Sequence, residues 1–482
     1  MRKAAVVLII MWGFLVTLYP QGAAFGFGKK GSQGIPTFRW ATCHDPSVIK
    51  VGDIYYVFGS HLQVAKSIDL MHWSQVNYGV YKGNPIIPDI FEELKEALSW
   101  ARTNDIWAPH VIQLLDKRYY MYYCASSFGS PRSAIGIAVS DKVDGPYTHY
   151  AVILRSGQIQ GPSEDGTRYN SMKHPNAIDP HTFYDNEGNL WLVYGSYFGG
   201  IFIIKLDPNT GLPLPGQGYG RRLTGGFHSP IEGPFILYSP DTDYYYLFVS
   251  FGGLSYRGGY NIRVARSRSP DGPYYDPEGN VMTRCTGQEI GPFGAKLIGN
   301  FNLDESNPIN TAAFGYVSPG HNSAYYNSEK DKYLIFFHTR FPGRGESHQL
   351  RVHQLFLNED DWFVMAPFPY AGETALRLPK DEIVGEYLFI NHGKEITSDI
   401  KLPVRIKLNK DGSITGAVTG TWEVRGVYHL SLRIAEDGEE TVYNGVVLKQ
   451  WHPTEQKWTI TFSALSQKGV SVWGIKEVVK SL

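Results

Sequence analysis

Charge is sparse in this 482-residue chain. Only 19% of positions are charged, and 45 Lys and Arg offset 46 Asp and Glu with no long run of either sign. That excludes the basic footprint on which nucleic-acid binding depends. Cysteine is scarcer still: Cys43, Cys124 and Cys285 allow at most one bridge, so disulfides do not hold the chain together. No pair of them has the short spacing of a zinc knuckle, which excludes a cysteine-built metal site. Beyond the first two dozen residues no apolar run is long enough to cross a bilayer.

What the chain does have is aromatic surface and apolar bulk. With 43% hydrophobic residues it is globular, and its 32 Tyr, 25 Phe and 11 Trp favour strands and offer flat faces on which a sugar can stack. Residues 1–24 read as a secretory signal: Arg2 and Lys3, an apolar run from Ala4 to Tyr19, then small residues at Gly22, Ala23 and Ala24. The run is about 16 residues, close to the lower limit of a spanning helix. Its length and cleavage site favour a removed signal over an anchor, and hence a secreted chain without a membrane partner.

A pattern then occurs five times: a polar or acidic residue at a turn, followed about ten residues later by an aromatic-rich strand. The copies begin at His44-Asp45-Pro46, Trp107-Ala108-Pro109-His110, Ile178-Asp179-Pro180-His181, Ile231-Glu232-Gly233-Pro234 and Gly320-His321-Asn322. They lead to strands such as Tyr119–Tyr123, Leu190–Tyr194 and Tyr244–Phe248. Ala138, Ser140 and Gly145-Pro146-Tyr147 recur at the same offsets as Ala265, Ser267 and Gly272-Pro273-Tyr274, with a weaker copy at Ala65, Ser67 and Trp73. Short strands in a recurring unit predict an all-β fold, a five-bladed β-propeller over residues 36–375. An insertion at 88–104 carries Phe91, Leu94, Leu98 and Ala101 at helical spacing and reads as a packed satellite helix rather than a substrate lid. From residue 380 to 482 the texture changes to period-two alternation, as in Val404, Ile406 and Leu408, which predicts a small C-terminal β-barrel or sandwich. Trp451 and Trp458 are expected there as exposed aromatics with a structural accessory role.

The repeat places Asp45, Asp179 and Glu232 at nearly one register, where the chain enters the innermost strand. One acid beside a proline turn is ordinarily a turn residue. Three in a radial array converge on one axial pit, and converging carboxylates in an aromatic hollow are what acid/base cleavage of a glycosidic bond requires. Spacing alone does not assign their roles. In these residues, together with Asn176-Ala177-Ile178-Asp179-Pro180-His181 and Gly320-His321-Asn322-Ser323, the chain resembles glycoside hydrolase family 43, and within it the endo-1,5-α-L-arabinanases with a C-terminal barrel. The resemblance implies an extracellular inverting hydrolase of arabinan or arabino-oligosaccharides, with Asp45 as general base, Glu232 as general acid and Asp179 raising the acid's pKa and orienting it. It also implies a calcium ion near the axis held by His321, although calcium usually prefers six to eight oxygen ligands. Substrate contacts are expected from Trp107, Asn176, Ser196, Tyr197, Phe198 and Ser229 at the same face, with His338 and Arg340 in support.

Two other readings compete. The same fold serves β-xylosidases, exo-acting arabinofuranosidases and retaining fructan hydrolases. The last typically carry an arginine before the middle aspartate, where this chain has Ile178. A non-catalytic sugar-binding propeller is the rival of another class, but it would repeat one pocket, whereas these five positions read Asp, Ala, Asp, Glu and His.

Overall fold

Each of the five repeats forms one antiparallel sheet in the computed structural model, which describes residues 35–436 and 438–477. The expected signal segment, residues 1–24, lies outside the described residues. Blade I is Ser47–Val51, Ile54–Gly59, Gln63–Ser67 and Ser74–Asn77. Blade II is Ile106–Gln113, Tyr119–Ala125, Ala134–Ser140 and Thr148–Arg155. Blade III is His181–Tyr184, Leu190–Ser196, Gly200–Leu206 and Arg221–Thr224. Blade IV is Ile231–Ser239, Tyr244–Phe251, Asn261–Ser267 and Ala295–Ile298. Blade V is Gly315–Asn327, Lys332–Arg340, His348–Leu357 and Phe363–Met365, with Phe301–Asn302 added at its inner edge. The second strands are almost wholly buried because both faces of a blade are covered by its neighbours, which is why they read as unbroken aromatic and aliphatic runs.

The innermost strands of successive blades touch around the axis, and blade V meets blade I. Every blade is built from strands consecutive in sequence, so no strand is exchanged across that last seam. One backbone hydrogen bond, from Leu350 N–H to Ala41 O at 3.0 Å, crosses it, and side chains seal the rest. Asn327 Nδ2 donates to Tyr55 OH at 2.6 Å, Val48 N–H donates to Ser323 Oγ at 3.1 Å, and the Arg351 guanidinium lies 3.8 Å over the Trp40 ring. Val57 and Trp73 from blade I pack with Phe336 and Val352 from blade V behind them.

The recurrent Gly-Pro-Tyr has a physical use. Tyr147 OH donates to Val143 O and Tyr274 OH to Pro270 O, both at 2.8 Å and both four residues back, so a buried ring closes the outer turn of blades II and IV. In blade I, Trp73 Nε1–H donates to Leu70 O at 3.1 Å and does the same work. The insertion at 88–104 forms two short helices, Ile90–Glu93 and Lys95–Ala101, broken at Leu94. Ile90, Leu94, Ala97, Leu98 and Ala101 are buried against blades I and II, while Phe91 turns outward. It is a packed element, as its spacing suggests.

The C-terminal part is a closed barrel of eight strands from Gly385 to Lys476, with the first strand paired to the last through Tyr387 and Lys476. Its interior is filled by Tyr387, Phe389, Trp422, Leu432, Tyr443 and Phe462. Trp451 is not an exposed aromatic, as alternation suggested. It is buried and packs edge-on against its cross-strand partner Trp458 with ring centroids 5.7 Å apart. Propeller and barrel lie in the one compact unit that begins at Thr37 and share an apolar cluster, in which Phe235, Leu297 and Phe363 meet Ile390, Leu448 and Trp473. A loop of the barrel, residues 392–401, presses on blades IV and V. Lys296 Nζ donates to His392 O and Glu395 O at 2.9 and 2.8 Å, and Lys401 pairs with Phe301 as a short bridge.

Candidate active site

The five inner strands share a backbone irregularity. Asp45, Ala108, Asp179, Gly233 and His321 all have left-handed backbone, with φ of 54, 37, 55, 60 and 44°. In blades II, IV and V the inner strand bulges here, two residues standing opposite one. A bulge re-aims side chains, and these three, with the left-handed turns that precede the inner strands of blades I and III, direct side chains toward the axis. Glu232 therefore sits one residue ahead of the position held by Asp45 and Asp179. Gly233 is needed where it is: besides its positive φ, a Cβ there would stand 2.9 Å from Cγ of His321.

Asp45, Asp179, Glu232 and His321 line one cavity of about 440 Å³. Asp45 is the most heavily held. His44 Nδ1 lies 2.8 Å from its Oδ2, His321 Nδ1 lies 3.0 Å from its Oδ1, and Ser60 donates its hydroxyl to Oδ2. Burial disfavours the ionised form, but the His321 and His44 imidazoles outweigh it and hold this carboxyl well below the usual range. Glu232 accepts from Ser196 Oγ at 3.0 Å. Its carboxyl is raised, by burial first and then by the charge of Asp45, against the pull of His321. Asp179 accepts the Gly233 N–H at 3.2 Å and is raised as well, by burial and then by Glu232 and Asp45, again against His321. The two titrate as a pair that keeps a proton above the normal carboxylate range. Burial alone would lower His321, yet Asp45 and then Asp179 push it up to about 9.

One pleat further along the axis the floor is closed by neutral polar groups. Ser47 Oγ is 2.6 Å from His110 Nδ1, and His181 Nε2 is 3.0 Å from Ile236 O. Burial holds His110 down at about 3.

The structure gathers most of the expected substrate residues on this cavity. Trp107, Asn176, Ser196, Tyr197 and Phe198 line it. Trp107 is steadied through Nε1 by Asp105 at 3.1 Å, and Tyr197 through OH by Gly252 O at 2.9 Å. Ser229 does not line it: fully buried, its hydroxyl donates to Gly226 O at 2.6 Å and fixes the turn that presents His228. Arg340 is buried beside Glu346, away from the cavity lining, whereas His338 contacts Asp45 directly. Several wall residues lay outside the sequence reading, among them Phe128, His228 and the stretch Gly253-Leu254-Ser255. Phe128 is 88% exposed at the rim, a bare ring that only its loop position explains. Ser60 has no signal in sequence, because its hydroxyl joins Asp45 of its own repeat to the Ala108 N–H of the next, a link that only the fold creates.

The comparisons agree with this geometry. The family model described as glycosyl hydrolases family 43 matches residues 40–363, and one described as a C-terminal lipocalin-like domain matches 367–474. The chain belongs to glycosyl hydrolase family 43. It is 72% identical, over 92% of its length and 95% of the relative's, to a protein of Thermotoga petrophila named extracellular endo-α-(1→5)-L-arabinanase. It is 52% identical, over 92% of its length and 94% of the relative's, to the Bacillus subtilis protein named extracellular endo-α-(1→5)-L-arabinanase 2. A Cellvibrio japonicus protein named as an exo-acting arabinofuranosidase is 27% identical, over 66% of this chain and 85% of its own. Among solved structures, the endo-1,5-α-L-arabinanase of Thermotoga petrophila superposes with a TM-score of 0.91 over 92% of this chain and 100% of its own, at 72% identity.

Proposed function

We propose that this protein is an extracellular endo-1,5-α-L-arabinanase that cuts internal bonds of arabinan with inversion. The observation that carries the reading is the convergence of Asp45, Asp179 and Glu232 from three blades on one aromatic-walled cavity, with one carboxyl held ionised and the other two held toward the protonated form. These are the two states that inversion needs at once. Asp45, gripped by two imidazoles and Ser60, takes a proton from a water that attacks the anomeric carbon. Glu232 gives its proton to the departing O5 of the next arabinose. Asp179, sharing the pair's titration and tied to the backbone beside Glu232, keeps that acid protonated and aimed. Trp107, Tyr197 and Phe198 offer ring faces to the sugar, and Asn176 and Ser196 polar groups.

A cation at His321 fits the same site, and we propose calcium. A cation would bind His321 in its neutral form, displacing the proton that Asp45 and Asp179 favour there; Nδ1 faces Asp45 and leaves Nε2 as the ligand atom. Asp45, the carboxyl held ionised, supplies negative charge, and the cavity has volume for the waters that must complete the shell. Such an ion adds a fixed positive charge beside the base. Calcium should raise the melting temperature of the wild type, EDTA should reverse the rise, and His321→Ala should remove it; equal melting curves with and without calcium would count against the site.

Digestion of linear arabinan, xylan and nitrophenyl arabinofuranoside tests the activity. Oligomers of mixed length should come from arabinan alone, with new reducing ends in the β configuration by NMR at early times. Release of monomer only, or α ends, rejects endo action or inversion respectively.

A further inference from the structure

Hydrogen bonds tie the left-handed residues together across four of the five blade boundaries. Ser60 of blade I accepts the Ala108 N–H of blade II at 2.9 Å. Between blades II and III, Cys124 lies against the Asp179 backbone, while its thiol donates to Trp107 O at 3.1 Å. Ser250 of blade IV accepts the His321 N–H of blade V at 2.7 Å, and His338 Nδ1 of blade V accepts the Asp45 N–H of blade I at 3.2 Å. In the bonds to Ser60, Ser250 and His338 the acceptor sits on the second strand of one blade, or in the case of Ser60 one residue past it, and the donor is the left-handed residue of the next. The remaining joint, from blade III to blade IV, has Gly195 on the second strand, where a Cβ would run into Gly200 O. With no side chain available there, Asp179 itself accepts the Gly233 N–H.

We propose that His338 is a positioning residue for the reaction: its neutral imidazole latches the Asp45 backbone across the blade V to blade I seam and so fixes the aim of the general base. The inference rests on the reading of Asp45 as that base. Three observations carry it. Among the described residues the seam has no exchanged strand, and its one backbone bond, Leu350 N–H to Ala41 O, stops four residues short of Asp45, so the Asp45 backbone itself is not held to blade V by a sheet ladder. His338 is fully buried and stacks on His44, with ring centroids 3.9 Å apart, which places Nδ1 toward the Asp45 N–H. Its Nε2 has no hydrogen-bond partner among the described residues. A buried orphan is a cost to folding that an apolar side chain of similar shape would not carry. A side chain kept only for packing would be apolar; this one is kept for Nδ1. Burial, and then the neighbouring His44, hold it well below the usual histidine range, consistent with the acceptor role.

The test compares wild type with His338→Leu, His338→Asn and Asp45→Asn, measuring kcat and KM on linear arabinan alongside melting temperature. His338→Leu should lose about 10- to 100-fold in kcat, the scale expected when a reacting group is misplaced by an ångström. Its KM should change less than about threefold and its melting temperature should hold or rise. Asn carries an acceptor at nearly the position of Nδ1, so His338→Asn should recover kcat to within about threefold of wild type. Full kcat in a folded His338→Leu, or loss in His338→Asn equal to that in His338→Leu, overturns the inference. If His338→Leu is too unstable to assay, the kcat of His338→Asn relative to its melting temperature decides, since a purely structural role lowers both together. An active Asp45→Asn would instead overturn the reading of the base.

Discussion

Glu232 stands one residue ahead of the left-handed position that Asp45 and Asp179 share, and it bears the longer side chain. In the proposed roles, the offset and the extra methylene give Glu232 reach toward a leaving oxygen while Asp45 stays fixed among imidazoles. Glu232→Gln should lower kcat by about 10²- to 10⁴-fold, the usual worth of a general acid, with binding of arabino-oligosaccharide unchanged by calorimetry. The pH profile of kcat/KM follows from the same environment. Asp45 ionises well below its usual range, so activity should persist into mild acid. The alkaline limb marks loss of the proton from the Glu232 and Asp179 pair. Asp179→Asn removes one negative neighbour, makes Glu232 easier to ionise, and should move that limb to lower pH; a limb that stays in place separates Asp179 from the acid's titration. At this scale sequence was informative where the repeat was. Asp45, Asp179 and His321 announced themselves by position, whereas Ser60 and the aim of His338 depend on which blades become neighbours, and Phe128 on the course of a loop.

At the scale of elements, the barrel loop 392–401 carries a titratable anchor. Lys296 is buried, and burial pulls its ammonium down to about 7 despite the two carbonyls it reaches. Between roughly pH 7 and 10 the unfolded chain holds a proton on this lysine that the folded chain has begun to release. The unfolded state then binds more protons, so this residue's contribution makes stability rise with pH across that window. Urea midpoints of wild type minus Lys296→Met, taken from pH 7 to 10, should show that rise; a flat difference would mean the lysine stays charged inside. The second strands were the most legible elements, because burial on both faces leaves an uninterrupted run that no loop imitates. The barrel strands were visible through alternation, but the reading of Trp451 as exposed missed its burial, since its cross-strand pairing with Trp458 is a long-range fact.

For the whole molecule, the shared cluster of Phe235, Leu297 and Phe363 with Ile390, Leu448 and Trp473 means that propeller and barrel do not part cleanly. Sequence texture marked where one pattern gives way to the other but not that their cores merge, because a mixed apolar face on each side reads as ordinary interior. A chain ending at residue 375 would expose that face to water, and a large bare apolar patch drives association. It should therefore express as aggregate, while full-length protein at the same concentration stays monodisperse by light scattering. The eight-stranded barrel has a second consequence. Barrels of this size can enclose one small guest, but here Tyr387, Phe389, Trp422 and Phe462 occupy the inside. A calyx already filled with its own rings leaves no room for a guest, and the expectation is that it acts as a buttress while polysaccharide is captured at the propeller mouth. Pre-loading that mouth with soluble arabino-oligosaccharide should then abolish retention of the intact protein on insoluble arabinan.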